Sequence, residues 1–159
     1  ALSLAEAEIE RFGEIFRQRW LSGMRNKLGL LTAEDEDLEL IGDFLEGIQG
    51  EDFTNSFCEL TDGVFRREAL SEWSLRYGER IKRYPAEEVG PLMIKSNPRY
   101  IPRNHLVEEA LARATEDGDY QPLRQLVEIL RSPYREIDGN ERYRRPDSSG
   151  SRYVTYCGT

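Results

Sequence analysis

The residues that could do chemistry are few. The chain closes YVTYCGT, which puts a thiol, Cys157, two residues from the end. The stretch before it, DSSGS, is too polar and flexible to bury anything. A thiol that stays accessible there can ionise, attack a second sulfur or be oxidised, although a terminal cysteine taken alone is more often incidental. The only other cysteine is Cys58 and the only histidine is His105. Three such ligands, far apart in sequence, do not make a structural zinc site, and two cysteines do not make a disulfide scaffold. His105 follows a helix-cap residue, Asn104, with no obvious acid or nucleophile partner in sequence, so a surface or packing role is expected. Cys58 sits beside Phe57 and reads as a small, partly buried hydrophobe. The acid run EDED at 34–37 could draw a divalent cation, but it reads first as charge favoured by a helix start. Neither GxGxxG nor GxxxxGK[ST] occurs, so no glycine loop cradles phosphate. SNPRYIPRN, 96–104, is irregular and polar, and Asn97 before Pro98 suits a turn.

The elements that must carry these residues are helical. Ser3 and Glu6 form a capping box, and Ile9, Phe12, Phe16, Trp20 and Met24 follow as an apolar stripe expected to face the core. Gly29 suits a left-handed cap at that helix's end. A second helix is expected from Thr32, with Leu38, Ile41, Leu45 and Ile48 inward. Asp52 caps a third with Phe53, Phe57 and Leu60 inward. Leu70, Trp73, Tyr77 and Ile81 mark a fourth, stopping before Pro85. The stretch 86–104 holds three prolines and a glycine and cannot be one regular helix. Asn104 is expected to cap a fifth helix and Asp119 a sixth, with Pro122 in its first turn. The expected fold is therefore all-α: an irregular array of about six helices over 1–134, then an extended, partly flexible tail over 135–159. In that tail only RYVTY is strand-like.

Composition limits the partners. Of the 159 residues 38% are hydrophobic and 33% charged, with a net charge of −8. Residues 1–75 carry 17 acids and 7 bases, while 76–159 carry 13 acids and 15 bases. An acidic half repels phosphate backbones, which argues against nucleic acid. No apolar run approaches a membrane span, and the acidic N-terminus is unlike a leader peptide. The cysteine usage suggests a reducing, cytoplasmic setting. The absence of an initiator Met suggests a piece excised from a longer protein.

NPRYIPRNHLVEEALARATEDGDYQPLRQLVEILRSPY, 97–134, closely resembles the C-terminal region of the selenoprotein O (SelO) family. The shared features are an Asn-Pro, an Arg-Asn turn, an Ala-rich helix, Gly-Asp, a Leu-rich helix and a Pro-aromatic pair. Pro102 stands where the family often has Leu. RWLSGMRNKLGL, 19–30, is similar to the family's Lys-Leu-Gly-Leu segment. The ending Cys-Gly-Thr matches members that close in cysteine or selenocysteine and two small residues. The resemblance implies a kinase-like parent that transfers AMP from ATP, with magnesium, to hydroxyl side chains of protein substrates. The family's ATP- and metal-binding residues match no position here, so no catalytic, cofactor-binding or metal residue is assigned. It also implies that Cys157 is redox-active. These residues are then a scaffold that partners the N-terminal kinase-like part of the same protein. The isolated chain is expected to lack enzyme activity and to bare an apolar patch open to pairing as a homodimer. The alternative from another class is an independent helical interaction module with an acidic surface.

Overall fold

The computed structural model describes residues 2–147, with side chains from Arg11 onward and at Ile9. Seven α-helices occur among them: α1 Leu2–Leu28, α2 Asp37–Gly47, α3 Phe53–Thr61, α4 Ser71–Ile81, α5 Ala86–Ser96, α6 Asn104–Glu116 and α7 Gln121–Leu130. Short 3-10 turns span Glu68–Leu70 and Glu141–Arg144, and the described residues contain no strand. The all-α expectation holds. Packing divides the chain into two compact units, one ending at Asn97 and one beginning at Pro98.

In the first unit the core is built around Phe44 on α2. Its ring lies 4.9 Å from Phe57, 5.4 Å from Phe65 and 4.8 Å from Trp73, centroid to centroid. Trp73 donates its indole N–H to the Leu40 carbonyl at 2.7 Å and stacks on Tyr77 at 4.8 Å. Aromatic side chains thus contribute both the largest apolar areas and the geometry that fixes α4 against α2.

The C-terminus of α1 is anchored atom by atom. A helix leaves its last four carbonyls without intrahelical donors. Here Leu30 N–H reaches Arg25 O at 2.9 Å and Gly29 N–H reaches Asn26 O at 3.2 Å, the double bond of a Schellman cap. Asn97 Nδ2 donates to Lys27 O at 2.8 Å, and the Tyr77 hydroxyl donates to Leu28 O at 2.9 Å. Gly29 has φ +73°, and a Cβ there would lie 2.8 Å from Val89 Cγ1. The expected left-handed cap is present, and α5 packs directly onto it.

Four local expectations need correction. First, 86–104 is not one regular helix, as expected, but it contains a helix that was not expected: residues 86–96 form α5 despite Pro91 inside it. Pro91 and Glu87, whose carbonyl loses its donor to the proline, are both exposed, so the missing bond faces water. Second, α2 begins at Asp37, not Thr32, and Leu38 points outward at 60% exposure, while Leu40 and Phe44 turn inward. Third, Phe53 is 47% exposed rather than buried. Fourth, Asn104 is exposed and makes no capping bond, because α6 already includes it and Arg103 occupies the cap position. Asp52, in contrast, caps α3 by accepting from Asn55 N–H at 2.8 Å.

In the second unit α6 and α7 pair through Leu106, Ala110, Leu126 and Ile129. Asp119 receives the Gln121 amide at 3.0 Å at the start of α7. Tyr100 is buried, and its hydroxyl donates to Ile137 O and accepts from Ile137 N–H, both at 3.2 Å. Residues 135–147 are held back against this unit. Glu136 pairs with Arg99 at 3.3 Å and Arg144 at 2.8 Å, and Arg142 pairs with Glu109. Ser148 to Thr159, including RYVTY and Cys157, lie outside the described residues.

Candidate functional site

Three features in the first unit have the composition of a site. The first is a groove of ≈570 Å³ between α2 and α4, lined by Glu34, Asp37 and Glu39 on one side and Arg76, Arg80 and Arg83 on the other. The arginines recur at four and three residues on and just past α4, so they share one face. Asp37 is 2% exposed and takes three donors: Arg25 Nε at 2.5 Å, Arg80 Nη2 at 3.2 Å and the Glu34 amide at 2.9 Å. Arg80 also donates to Thr32 O at 2.9 Å and pairs with Glu34, which Arg83 meets at 3.2 Å. Burial pulls the Arg80 guanidinium below its ordinary value, the Tyr84 ring opposes this, and Arg83 and Arg25 add to it. Arg76 bridges Glu39 at 3.2 Å and Asp43.

These pairs explain the acid run. Glu34 and Asp37 are not a loose helix-start cluster: they clamp the 30–36 loop and the start of α2 onto α4. Each groove arginine already meets a carboxylate, so the groove offers neither a spare cation for phosphate nor a nucleophile beside a base. Among the described residues no three His, Cys, Asp or Glu side chains group to hold a metal ion.

The second feature gathers Lys27, Asn97, Thr61 and Cys58. The Lys27 ammonium donates to Ser96 O at 3.1 Å and Asn97 Oδ1 at 3.3 Å, and lies 5.0 Å from the Phe57 ring centroid. Burial pulls the Lys27 amine down, with Cys58 acting in the opposite direction. Asn97 Nδ2 also donates to Thr61 Oγ1 at 2.9 Å. Cys58 is only 1% exposed, which makes it a packing residue, more buried than the sequence suggests. His105 is half-buried on α6, in the second unit. Cys58 does not line the groove that holds the acid run.

The third feature overturns an expectation. The α1 stripe is not core: Ile9 is 71% exposed, Phe12 68%, Phe16 58% and Trp20 38%. From Arg11 to Trp20 only Gly13 is even half-buried. Farther along the same helix Met24 and Leu28 are buried in the core. The periodicity was visible in sequence, but not what covers it.

The chain is similar to known proteins along its length. A family model described as protein adenylyltransferase SelO matches residues 2–131. The chain is similar over its whole length to protein nucleotidyltransferases YdiU: 42% identical over 170 residues in Halalkalibacterium halodurans, covering 35% of that protein. The figures are 41% over 166 residues and 35% in Anoxybacillus flavithermus, and 38% over 177 residues and 36% in Rhizobium meliloti. The chain thus spans about a third of the length of the curated relatives it matches.

Proposed function

Because the chain belongs to the SelO family, we propose that it is the helical scaffold of a protein adenylyltransferase whose catalytic apparatus lies outside these residues. The whole protein would move AMP from ATP, with magnesium, to hydroxyl side chains of protein substrates. The observation that carries this reading is the full-length alignment of the chain onto only about a third of proteins named nucleotidyltransferases. The groove's mutually paired arginines and carboxylates are consistent with a region that carries no nucleotide site of its own.

Within this reading Cys157 is a redox handle. Exchange proceeds by attack of the thiolate on one sulfur of a disulfide, which releases the other sulfur as thiolate. Cys58 is a poor partner because it is buried at 1% exposure, so the second sulfur is expected in the part of the protein outside the chain.

The test is transfer of label from ATP to protein by the full-length protein, with the 159-residue chain as control. Transfer is expected from the first and not the second. Micromolar ATP affinity of the isolated chain in calorimetry, with or without magnesium, would sink the scaffold reading. For Cys157, alkylation of the full-length protein is compared with and without reductant. Equal alkylation in both, with Cys157→Ser leaving activity indifferent to reductant, removes the redox role.

A further inference from the structure

The bare face of α1 is the largest unexplained feature of the first unit. Ile9, Phe12, Phe16 and Trp20 lie within one stripe of the helix, at successive spacings of three, four and four residues. The apolar positions continue at four-residue spacing, winding slowly around the helix, into Met24 and Leu28, which are buried among α2 to α5. A helix this apolar on one side and solvated all round is not stable on its own account, because its stability comes from packing that side. Its rim is polar and of mixed sign, with Glu14 bridged to Arg17 at 2.7 Å and to Gln18 at 2.8 Å. Apolar centre and polar rim are the anatomy of a contact surface.

Three occupants are conceivable, and size decides among them. Aromatic side chains bury 150–250 Å² each when fully covered, so the exposed fractions of these four residues sum to roughly 400–500 Å². A stable complex between separate molecules needs about 800 Å² from each partner, so this stripe alone is too small for a second copy or a foreign protein. A segment of the same polypeptide needs less, because its covalent connection replaces the entropy of association with a high effective concentration. About two thirds of the length of the relatives has no counterpart in the chain, so such a segment is available.

We propose that Ile9, Phe12, Phe16 and Trp20 of α1 form an intramolecular docking face, covered by an apolar surface of the portion of the same protein outside this chain. The inference rests on the scaffold reading, but its test does not use catalysis. α1 then acts as a spine: its C-terminal turns belong to the first unit's core, and its first turns key into the remainder of the molecule.

The experiment is hydroxyl-radical footprinting with mass-spectrometric readout on the full-length protein and on the 159-residue chain at low micromolar concentration, normalised to an added reporter peptide. In the full-length protein, modification of Phe12 and Phe16 should fall by roughly fivefold relative to the isolated chain, since interface cores are packed like protein interiors. Phe16→Asp in the full-length protein should raise modification of Phe12 and Trp20, while Phe44, in the core, stays protected in every sample. Equal modification of Phe12 and Phe16 in the two proteins overturns the proposal. So does protection that appears only in the isolated chain and grows with its concentration alongside a dimer in light scattering, which would make a second copy the occupant. Loss of adenylyl transfer with the footprint unchanged would count against the enzyme reading alone.

Discussion

Replacing Asn97 by alanine tests whether the end of α5 is what locks α1 in place. Asn97 is 3% exposed, and its amide makes three bonds: donation to Lys27 O at 2.8 Å and to Thr61 Oγ1 at 2.9 Å, and acceptance from Lys27 Nζ at 3.3 Å. The losses are unequal. Thr61 still donates its hydroxyl to Phe57 O at 2.8 Å, and Lys27 keeps Ser96 O. The Lys27 carbonyl has no such reserve, because it is one of α1's four terminal carbonyls and Asn97 is its donor. Stranding one buried acceptor costs about 1–3 kcal/mol, so about 2 kcal/mol is expected. For a chain of this size that corresponds to a fall of roughly 6 °C in Tm. Asn97→Asp separates the contributions: it keeps the shape and an acceptor for Lys27, but removes both donors and turns a carboxylate oxygen toward the Lys27 carbonyl. It should be no more stable than the alanine variant. The assay is thermal unfolding by circular dichroism on the isolated chain. A midpoint for Asn97→Ala within 1 °C of the parent would refute the anchoring argument, and an aspartate variant as stable as the parent would show that the Nδ2 donor does not matter.

The other predictions follow the same anchors. Gly29→Ala should lower Tm: φ +73° costs an L-residue about 1–2 kcal/mol, and the new Cβ would sit 2.8 Å from Val89 Cγ1 and 2.9 Å from Met93 Cγ. Asp52→Ala should cost about 1 kcal/mol through loss of the α3 cap, whereas Asn104→Ala, at an exposed site with no cap bond, should leave the melt unchanged within about 0.5 kcal/mol. Burial raises the Tyr77 hydroxyl above its ordinary 10.0, so the folded state holds that proton more tightly than the unfolded chain. Its contribution is complete below about pH 10 and is lost as pH climbs beyond, so the alkaline fall in Tm should be shallower in Tyr77→Phe. At neutral pH the same variant should be about 1 kcal/mol less stable, having lost its bond to Leu28 O.

What the sequence determined by itself was local. Asp52 and Gly29 could be identified as caps because a cap needs only its own side chain, or its own freedom at positive φ, and a neighbour three or four residues away. The helical class was legible for the same reason: apolar spacing of three and four reports which face must be covered. Membership of the family was legible in 97–134, where turn and helix residues recur in one order. The helix at 86–96 was not legible, because a proline's cost depends on the surroundings of the carbonyl it orphans, and here Pro91 and Glu87 are both exposed. The acid run misled because Asp37 answers to Arg25 and Arg80, 12 and 43 residues away, and nothing in a run of four acids shows which one will be buried. Asn97 hid its role behind Pro98, since a turn residue and a carbonyl anchor look alike until Lys27 lies beside it. The α1 stripe marks the boundary between the two kinds of information. Periodicity fixes the direction of an apolar face, but whether that face is core or bare depends on what lies opposite, and hydrophobic burial is a property of the pair of surfaces, not of the helix.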